Sequence, residues 1–280
     1  MGKEENNKNI REQNNFISNL VLMIGEFKSE KILVSQDHHS EDHISFFSTH
    51  FKENQSNPNV LSFLGSTFNK NDIKQIQVVY DENTLDETLT DDKKYKIIEK
   101  NYDNQKEDFE ENKIPVDQGL FPDHCVQGSD GEKIPGVIEN ALKSVKTPSK
   151  SSTENTIITY FNLGSHKNMD SLSLIANNAG LPDQLVQDIL IHDKITRVFI
   201  TGVFLDYIVL NTAIDLKLEY PSIEVIVIED LTICLDDKQK IIEILQKNKI
   251  KVKKFAEVKE LKKKWEGEIE EEIEWEIEED

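Results

Sequence analysis

The sequence is poor in cysteine and in positive charge, and it contains no long apolar run. Two cysteines among 280 residues do not form a disulfide framework, which indicates a reducing, intracellular compartment, either the cytoplasm or a large cytoplasmic assembly. No apolar run reaches the roughly 18 residues of a membrane span, so no such span is expected. Since 33 Lys and Arg face 53 Asp and Glu, the net charge is −20. This charge argues against nucleic acid or an anionic membrane as partner, because phosphate binding needs a basic face.

What is present is an alternation of short apolar runs with helically spaced apolar residues. Strands that alternate with helices predict an α/β fold, with a parallel β-sheet covered by helices on both faces. The pattern predicts strands over residues 31–36, 156–161, 196–201, 223–229 and 251–256, and helices over residues 13–29, 136–146, 182–192, 207–219 and 236–248.

Polarity divides the chain into regions. Residues 1–12 are polar and are predicted to be a mobile arm. One domain is predicted over residues 13–260, interrupted by an acidic surface insertion at about 47–114 in which residues 74–80 form a short strand. Residues 261–280 are predicted to be an acidic C-terminal tail.

One segment combines carboxylate and imidazole side chains within seven residues. Asp37, His39 and His43 directly follow the apolar run Ile32-Leu33-Val34. Because side chains alternate along a strand, a D-x-H pair that leaves a strand end points both side chains to the same side of the backbone. Mixed nitrogen and oxygen ligands of this kind suit zinc, iron or manganese.

This segment and Phe121-Pro122-Asp123-His124-Cys125-Val126 resemble the metal-binding motifs of nicotinamidases, in the isochorismatase-like hydrolase superfamily. Three further segments resemble that family in the same order: Asn168–Ser173 its D-S-Y-S segment, Thr201–Ala213 its G-V-x-x-D-x-C-V-x-x-T-A turn, and Ile228–Thr232 its closing strand and D-x-T. Outside the insertion, the resemblance covers most of residues 10–260. It implies the three-layer α/β/α fold of these hydrolases.

The resemblance also implies a metal centre and the wall of a pocket. If the family geometry holds, Asp37, His39 and His124 converge with His43 on one divalent transition-metal ion, zinc, iron or manganese. In the family this ion orients the substrate and a water molecule, and it does not generate the nucleophile. The alternative is drift, in which the ligands remain without a metal. His38 and Phe121 are expected to line the pocket, by their positions in the motifs.

The catalytic residues of the family are not found at the matching positions. The family uses a cysteine nucleophile, a lysine that helps to keep it a thiolate, and an aspartate that moves protons. Ile208 stands at the cysteine position and Leu163 at the lysine position. The aspartate lies on a strand ahead of the first helix, and here the helical pattern of residues 13–29 leads directly into the Asp37 strand. The first catalytic strand is therefore expected to be missing.

Three residues were weighed as substitutes. Cys125 lies beside His124, where the family also has a non-nucleophilic cysteine, and a buried structural thiol is the preferred interpretation. Cys234 follows the strand at 223–229, with no histidine near it in sequence. Glu26 would need a strand over residues 20–27, which leaves too few residues for a parallel crossover before Asp37. All three are rejected as catalytic groups.

Two functions remain open from the sequence. The first is a catalytically inactive nicotinamidase-like protein with a structural or protein-interaction role in a larger assembly. The second is an active nicotinamidase, which converts nicotinamide to nicotinate and ammonia in NAD salvage. The first is preferred, because an alkyl group cannot replace a covalent nucleophile.

The tail is the other unusual element. Residues 266–280 hold ten acids, with Ile273, Trp275 and Ile277 regularly spaced among them. A tail that only solvates the protein is one interpretation. The other is a segment that docks on a protein subunit with a basic, apolar-grooved surface, or on this chain's own lysine clusters at 251–254 and 262–264.

Overall fold

The computed structural model describes residues 3–27, 29–50, 75–81, 95–99, 113–146, 156–178, 180, 182–235, 237–263 and 265. The helices are α1 (Lys3–Phe27), α2 (Phe47–His50), α3 (Gly136–Lys146), α4 (Gln184–His192), α5 (Leu210–Glu219), α6 (Lys238–Lys247) and α7 (255–263). The strands are β1 (Lys31–Asp37), β2 (Gln75–Asp81), β3 (Tyr95–Glu99), β4 (Lys113–Gly119), β5 (Ile157–Leu163), β6 (Arg197–Val203), β7 (Glu224–Ile233) and β8 (Lys251–Lys253). The chain forms two units: Met1–Arg11, Lys31–Glu139 and Ile157–Lys194 in the first, and Glu12–Glu30, Asn140–Thr156 and Ile195–Asp280 in the second.

The first unit contains a parallel pair of strands, β1 and β5. Their register is unbroken from Lys31 opposite Ile157 to Asp37 opposite Leu163. Parallel strands place their carboxyl ends at one edge, so the residues that follow β1 and β5 start from neighbouring points.

An antiparallel sheet with strand order β3-β2-β4 begins within the predicted insertion and extends past its predicted end at about residue 114. The strand predicted over residues 74–80 is confirmed as β2, whereas β3 and β4 were not predicted. β3 lies in a charge-rich stretch and β4 contains Pro115, a residue typical of edge strands. Because β4 runs to Gly119, the inserted sheet ends directly before the segment that contains His124.

The second unit is a parallel sheet with order β6-β7-β8. Alternate residues of β7 point to one face, and Ile226 and Ile228 are fully buried there. They share a core with Phe27 at the end of α1 and with Phe255 and Val258 of α7. This burial holds α1 and α7 on the sheet.

The ends of the chain depart from the sequence prediction. Residues 1–12 were predicted as a mobile arm, but α1 begins at Lys3. Its first half has no apolar periodicity, so the hydrophobic pattern alone placed the helix start too late. The last strand was predicted to reach residue 256, whereas β8 ends at Lys253 and α7 follows. Phe255 and Val258, three residues apart, form the buried side of this helix.

The region ahead of β1 is helical. From Lys3 onward the described residues contain α1 and no strand before β1, in agreement with the helical spacing of its apolar residues. None of the described helices combines the length and the apolar character that a membrane crossing requires.

Candidate metal centre and the turn after β6

Backbone hydrogen bonds join the end of β1 to the segment that carries His124. His38 N–H donates to Leu163 O over 2.9 Å, which continues the β1–β5 pairing by one residue. His39 N–H then donates to Cys125 O over 3.1 Å, and His39 O accepts from Gln127 N–H over 2.8 Å. Two parts of the sequence that lie more than eighty residues apart are thereby held side by side.

Three of the four predicted ligands meet at this junction. Asp37 Oδ2 lies 4.0 Å from His39 Nε2 and 3.9 Å from His124 Nε2. Metal bonds of 2.0–2.2 Å in a tetrahedral site place two ligand atoms about 3.4 Å apart. Small side-chain rotations would close the difference, so the spacing fits one metal ion.

The tautomers of both histidines also fit a metal ion. His39 Nδ1 donates to Gly164 O over 3.1 Å, and His124 Nδ1 donates to Pro122 O over 2.8 Å. A carbonyl oxygen only accepts, so each Nδ1 carries the proton and each Nε2 presents a lone pair toward Asp37. This is the arrangement in which outer hydrogen bonds orient histidine ligands.

The electrostatics of the junction favour a bound cation. Burial raises the pKa of Asp37; His39 and His124 oppose that rise, and Asp170 adds to it. Burial lowers the pKa of His39, so its neutral form predominates at neutral pH. The neutral imidazole of His39, the imidazole of His124 and a desolvated carboxylate form a suitable donor set for a divalent transition-metal ion.

His43 does not point into this group. Its Nδ1 accepts from Ser45 N–H over 3.3 Å and lies 2.7 Å from Ser45 Oγ. Its Nε2 therefore carries the proton and donates to Met169 O over 3.4 Å. Burial lowers its pKa to about 4, so His43 is neutral. His43 has a protein partner on each nitrogen, and its ligand atom groups with those of His39 and Asp170 instead of with Asp37 and His124. Its role as the fourth ligand stays a prediction.

Sequence reasoning gave no role to Gly164 or Asp170. Asp170 is buried, and its ligand atom groups with those of His39 and His43 within 4.8 Å. Gly164 has φ +60°, and a Cβ built on it would lie 2.5 Å from His39 Nδ1 and 3.3 Å from Asp170 Oδ1. Asp170 lies in the D-S-x-S segment, but the sequence does not show that this residue comes to lie beside His39 in the folded chain.

The two predicted pocket residues have different surroundings. His38 is hydrogen-bonded through Nδ1 to Glu132, whose other oxygen accepts from Gly128 N–H over 2.6 Å. Phe121 pairs with Phe46 in an isolated parallel β-bridge. The centre of the Phe121 ring lies 5.9 Å from the centre of the His124 ring. Their role in a pocket remains a prediction.

The predicted nucleophile position lies in the second unit, directly after β6. A π-helical turn over Leu205–Val209 contains Ile208 and leads into α5. Asp206 Oδ1 accepts from Leu235 N–H over 3.1 Å, which anchors the start of the turn. Leu205 and Val209 are buried. This turn presents no sulfur or hydroxyl nucleophile at Ile208 and is built on apolar packing.

The other two candidates weighed from the sequence for a sulfur nucleophile are Cys125 and Cys234, neither of which is in a disulfide bond. Cys125 lies in the metal junction, where burial, Asp37 and Glu132 raise its pKa to about 12. A thiol with this pKa is protonated at neutral pH and is a poor nucleophile. Cys234 is partly buried and directly follows β7.

Known structures with the same fold are nicotinamidases. The chain is similar to yeast nicotinamidase bound to the inhibitor nicotinaldehyde, with a TM-score of 0.56 and 16% identity over 85% of this chain and 87% of that one. A further structure of the yeast nicotinamidase gives 0.54 and 17% over the same shares. The Acinetobacter baumanii nicotinamidase pyrazinamidease gives 0.52 and 16%, over 86% of each chain. No protein-family model and no curated protein matches the sequence.

These similarities confirm the predicted fold. The chain has the isochorismatase-like hydrolase fold, with parallel sheets flanked by helices, consistent with a three-layer α/β/α arrangement. At 16–17% identity the likeness concerns the fold.

Proposed function

We propose that this chain, which has the isochorismatase-like hydrolase fold, binds one divalent metal ion but has no amidase activity, and that it serves a structural or protein-interaction role in a larger assembly. The observation that carries the proposal is Ile208 in the turn after β6, where the motif resemblance puts a cysteine. An alkyl group has no lone pair with which to attack an amide carbonyl. Without that attack the covalent route of these hydrolases does not begin.

The other groups of the catalytic set are also lacking. Leu163, which matches the lysine position, is a buried core residue at the end of β5. The described residues ahead of β1 form α1, so they offer no aspartate on a strand. Cys125 is held protonated by its surroundings. Replacing one side chain would therefore not restore the reaction.

Asp37, His39 and His124 would hold the metal ion, since their ligand atoms converge and both Nε2 atoms present lone pairs. A divalent ion bound there supplies a positive charge and a Lewis acid. The three side chains come from the end of β1 and from the segment after β4. A shared ion would therefore crosslink these two parts of the first unit, a structural use that needs no nucleophile.

The interaction role rests on the sequence of the tail, which lies outside the described residues. Lysines that this tail would meet on folding back have carboxylate partners already: Lys251 is paired with Glu224, Lys253 with Glu257 over 3.0 Å, and Lys263 with Glu260 over 2.9 Å. A protein subunit with its own basic surface is proposed as the binding site for the tail.

The activity part of the proposal is tested by ammonia release from nicotinamide. The zinc-loaded full chain, a metal-stripped sample and Ile208→Cys are compared, with Ile208→Val as a control for loss of side-chain volume. All four should remain at background, because Ile208→Cys restores the sulfur but not the lysine or the aspartate. Turnover by the unmodified chain on the order of 1 per second would contradict the proposal. Rescue by Ile208→Cys alone would contradict the stated loss of the other two groups.

A further inference from the structure

A second buried layer, made of His43 and Asp170, lies against His39. Both residues are at most 3% exposed. The rings of His39 and His43 are 4.2 Å apart between centroids and tilted by 32°. The ligand atoms of His39, His43 and Asp170 lie within 4.8 Å of one another. The candidate metal centre therefore continues inward beyond its three converging side chains.

Gly164 lies where His39 and Asp170 come together. The place of its missing Cβ is bordered by His39 Cε1, by His39 Nδ1 at 2.5 Å and by Asp170 Oδ1 at 3.3 Å. Asp170 is therefore close to the His39 ring, whose Nε2 faces Asp37. A carboxylate in this position lies beside the imidazole that would bind the ion.

Charge also connects this layer to the predicted ligands. Asp170 acts electrostatically on Asp37, His39 and His43. Two carboxylates and the imidazoles of His39, His43 and His124 therefore lie in one cluster. A divalent cation at Asp37 would place positive charge close to both carboxylates, and such a charge offsets the cost of grouping them.

We propose that Asp170 is an outer carboxylate of the metal centre, which strengthens metal binding through His39 without ligating the ion. This inference rests on the proposed metal site. In other metalloproteins, loss of a carboxylate in the outer layer weakens metal binding by roughly 10–100-fold. Asp170 is accordingly a positioning residue, and its effect should depend on whether the ion is present.

The test compares the full chain with Asp170→Asn, which keeps the shape of the side chain and an oxygen for the Ser171 N–H donor. Asp42→Asn is the matched control, since Asp42 is a half-exposed carboxylate of the same turn, paired with Lys167. Zinc and cobalt affinities are measured by titration, the cobalt absorption spectrum reports the ligands, and thermal melting is followed with and without zinc.

Asp170→Asn should bind both metals about 10–100-fold more weakly, with the cobalt spectrum unchanged. Its melting temperature without metal should equal or exceed that of the unmodified chain, because one buried charge is gone, while the rise on adding zinc should be smaller. A merely structural Asp170 would lower the melting temperature without metal. Asp42→Asn should behave like the unmodified chain in every measurement.

Affinity within twofold of the unmodified chain would overturn this inference and leave the metal site standing. An altered cobalt spectrum would overturn it too, because Asp170 would then be a direct ligand. If Asp170→Asn and Asp170→Ser both fail to fold, the role is structural and the inference is likewise overturned. Absence of metal binding by the unmodified chain would instead reject the proposed metal site itself.

Discussion

The turn after β1 and the turn after β6 both follow the carboxyl end of a half-buried parallel strand, yet they differ in chemical character. After β1 the chain brings together Asp37, His39 and His124, and backbone carbonyls orient both imidazoles. After β6 the chain enters a helical turn packed by Leu205 and Val209, with Ile208 at the position that the motif resemblance gives to a nucleophile. The first turn collects desolvated polar groups, and the buried residues of the second are apolar.

The difference teaches that the two turns face different constraints. A desolvated carboxylate beside imidazoles costs folding free energy unless something binds it. Leu205 and Val209 are buried after β6 without such a cost. Under the proposed function, a metal ion at Asp37, His39 and His124 offsets the cost in the first turn. Drift, the alternative, would leave that cost without compensation.

The largest effect is expected from Gly164→Ala, which changes a backbone position in contact with His39 of the first turn. Alanine at φ +60° is strained by about 1–2 kcal/mol. Its Cβ would also lie 2.5 Å from His39 Nδ1, and such overpacking costs about 1–3 kcal/mol more. The free energy of unfolding should fall by about 3 kcal/mol, and zinc should no longer raise it.

Gly128→Ala is the control, because Gly128 has φ +77° but no atom within 4 Å of a built Cβ. In Gly128→Ala the free energy of unfolding should fall only by the backbone strain, about 1–2 kcal/mol, and zinc binding should persist. Denaturant unfolding with and without zinc measures both quantities. Equal losses in the two variants would mean that the contact with His39 has no effect.

The second prediction separates the ligands from the histidine behind them. His124→Ala should abolish the stabilisation by zinc, which is about 2.7 kcal/mol at a free zinc concentration of 100 Kd. His43→Asn should instead lower stability by about 1–3 kcal/mol whether or not zinc is present, since it breaks buried hydrogen bonds to Ser45 and Met169. If His43→Asn removes only the zinc-dependent part, His43 is a ligand after all.

The third prediction concerns a polar cluster in the unit that carries the second turn. Glu224 of β7 accepts from Arg197 Nε over 2.5 Å and is also paired with Lys251, while the Arg197 guanidinium lies 3.5 Å from the centre of the Trp265 ring. Burial raises the pKa of Glu224, whereas the hydrogen bonds from Lys251 and Arg197 together lower it by a larger amount. The net result is a pKa below the ordinary value for Glu.

A lowered folded-state pKa gives stability that is present above the unfolded-state pKa of about 4.3 and is lost as the pH falls through the folded-state value. Glu224→Gln should therefore cost about 1 kcal/mol at pH 7 and progressively less below pH 4. Zinc should not alter the difference. Glu260→Gln, at an exposed pair with Lys263, should cost almost nothing at any pH. A pH-independent loss for Glu224→Gln would show that packing is responsible.

The sequence was sufficient to predict the fold class and the main strands, because short apolar runs between amphipathic segments depend only on local order. It was insufficient for β3, β4 and α7. These elements obtain their structure from partners: β2 pairs with β3 and β4, and the β7 core receives Phe255 and Val258. The local sequence pattern does not show which distant residues an element will pair or pack with after folding.

The candidate metal centre could also be predicted only in part from the sequence. The D-x-H spacing and the motif resemblance indicated Asp37, His39 and His124. The direction of His43 depends on Ser45 and Met169, and the latter becomes its neighbour only after folding. The sequence shows that His43 is two residues from Ser45, but this spacing does not indicate whether His43 binds a metal or forms hydrogen bonds within the protein. The spacing and the resemblance were therefore sufficient to identify Asp37, His39 and His124 as candidate ligands that come together, while the direction of His43 was not predictable.

The smallest effect on the isolated chain is expected from removal of the acidic tail, residues 266–280. Trp265 is kept, because it packs against Arg197 and Phe199. The melting temperature and zinc affinity should stay unchanged, since the contacts described above involve residues 3–265. The effect should appear only in partner recovery, where the tail-deleted chain loses a basic protein subunit that the full chain retains.

Replacing Ile273, Trp275 and Ile277 together by alanine separates the two interpretations of the tail, because all ten acids remain. A tail that merely solvates the protein depends on charge, so this variant would recover partners as the full chain does. A docking tail buries these side chains in an apolar groove, so the variant should lose binding almost as completely as the deletion. Charge alone holds a partner weakly at physiological ionic strength, where the screening length is about 8 Å. Recovery that the alanine variant keeps at 0.15 M salt would therefore reject the docking role and leave the tail as a solvating segment.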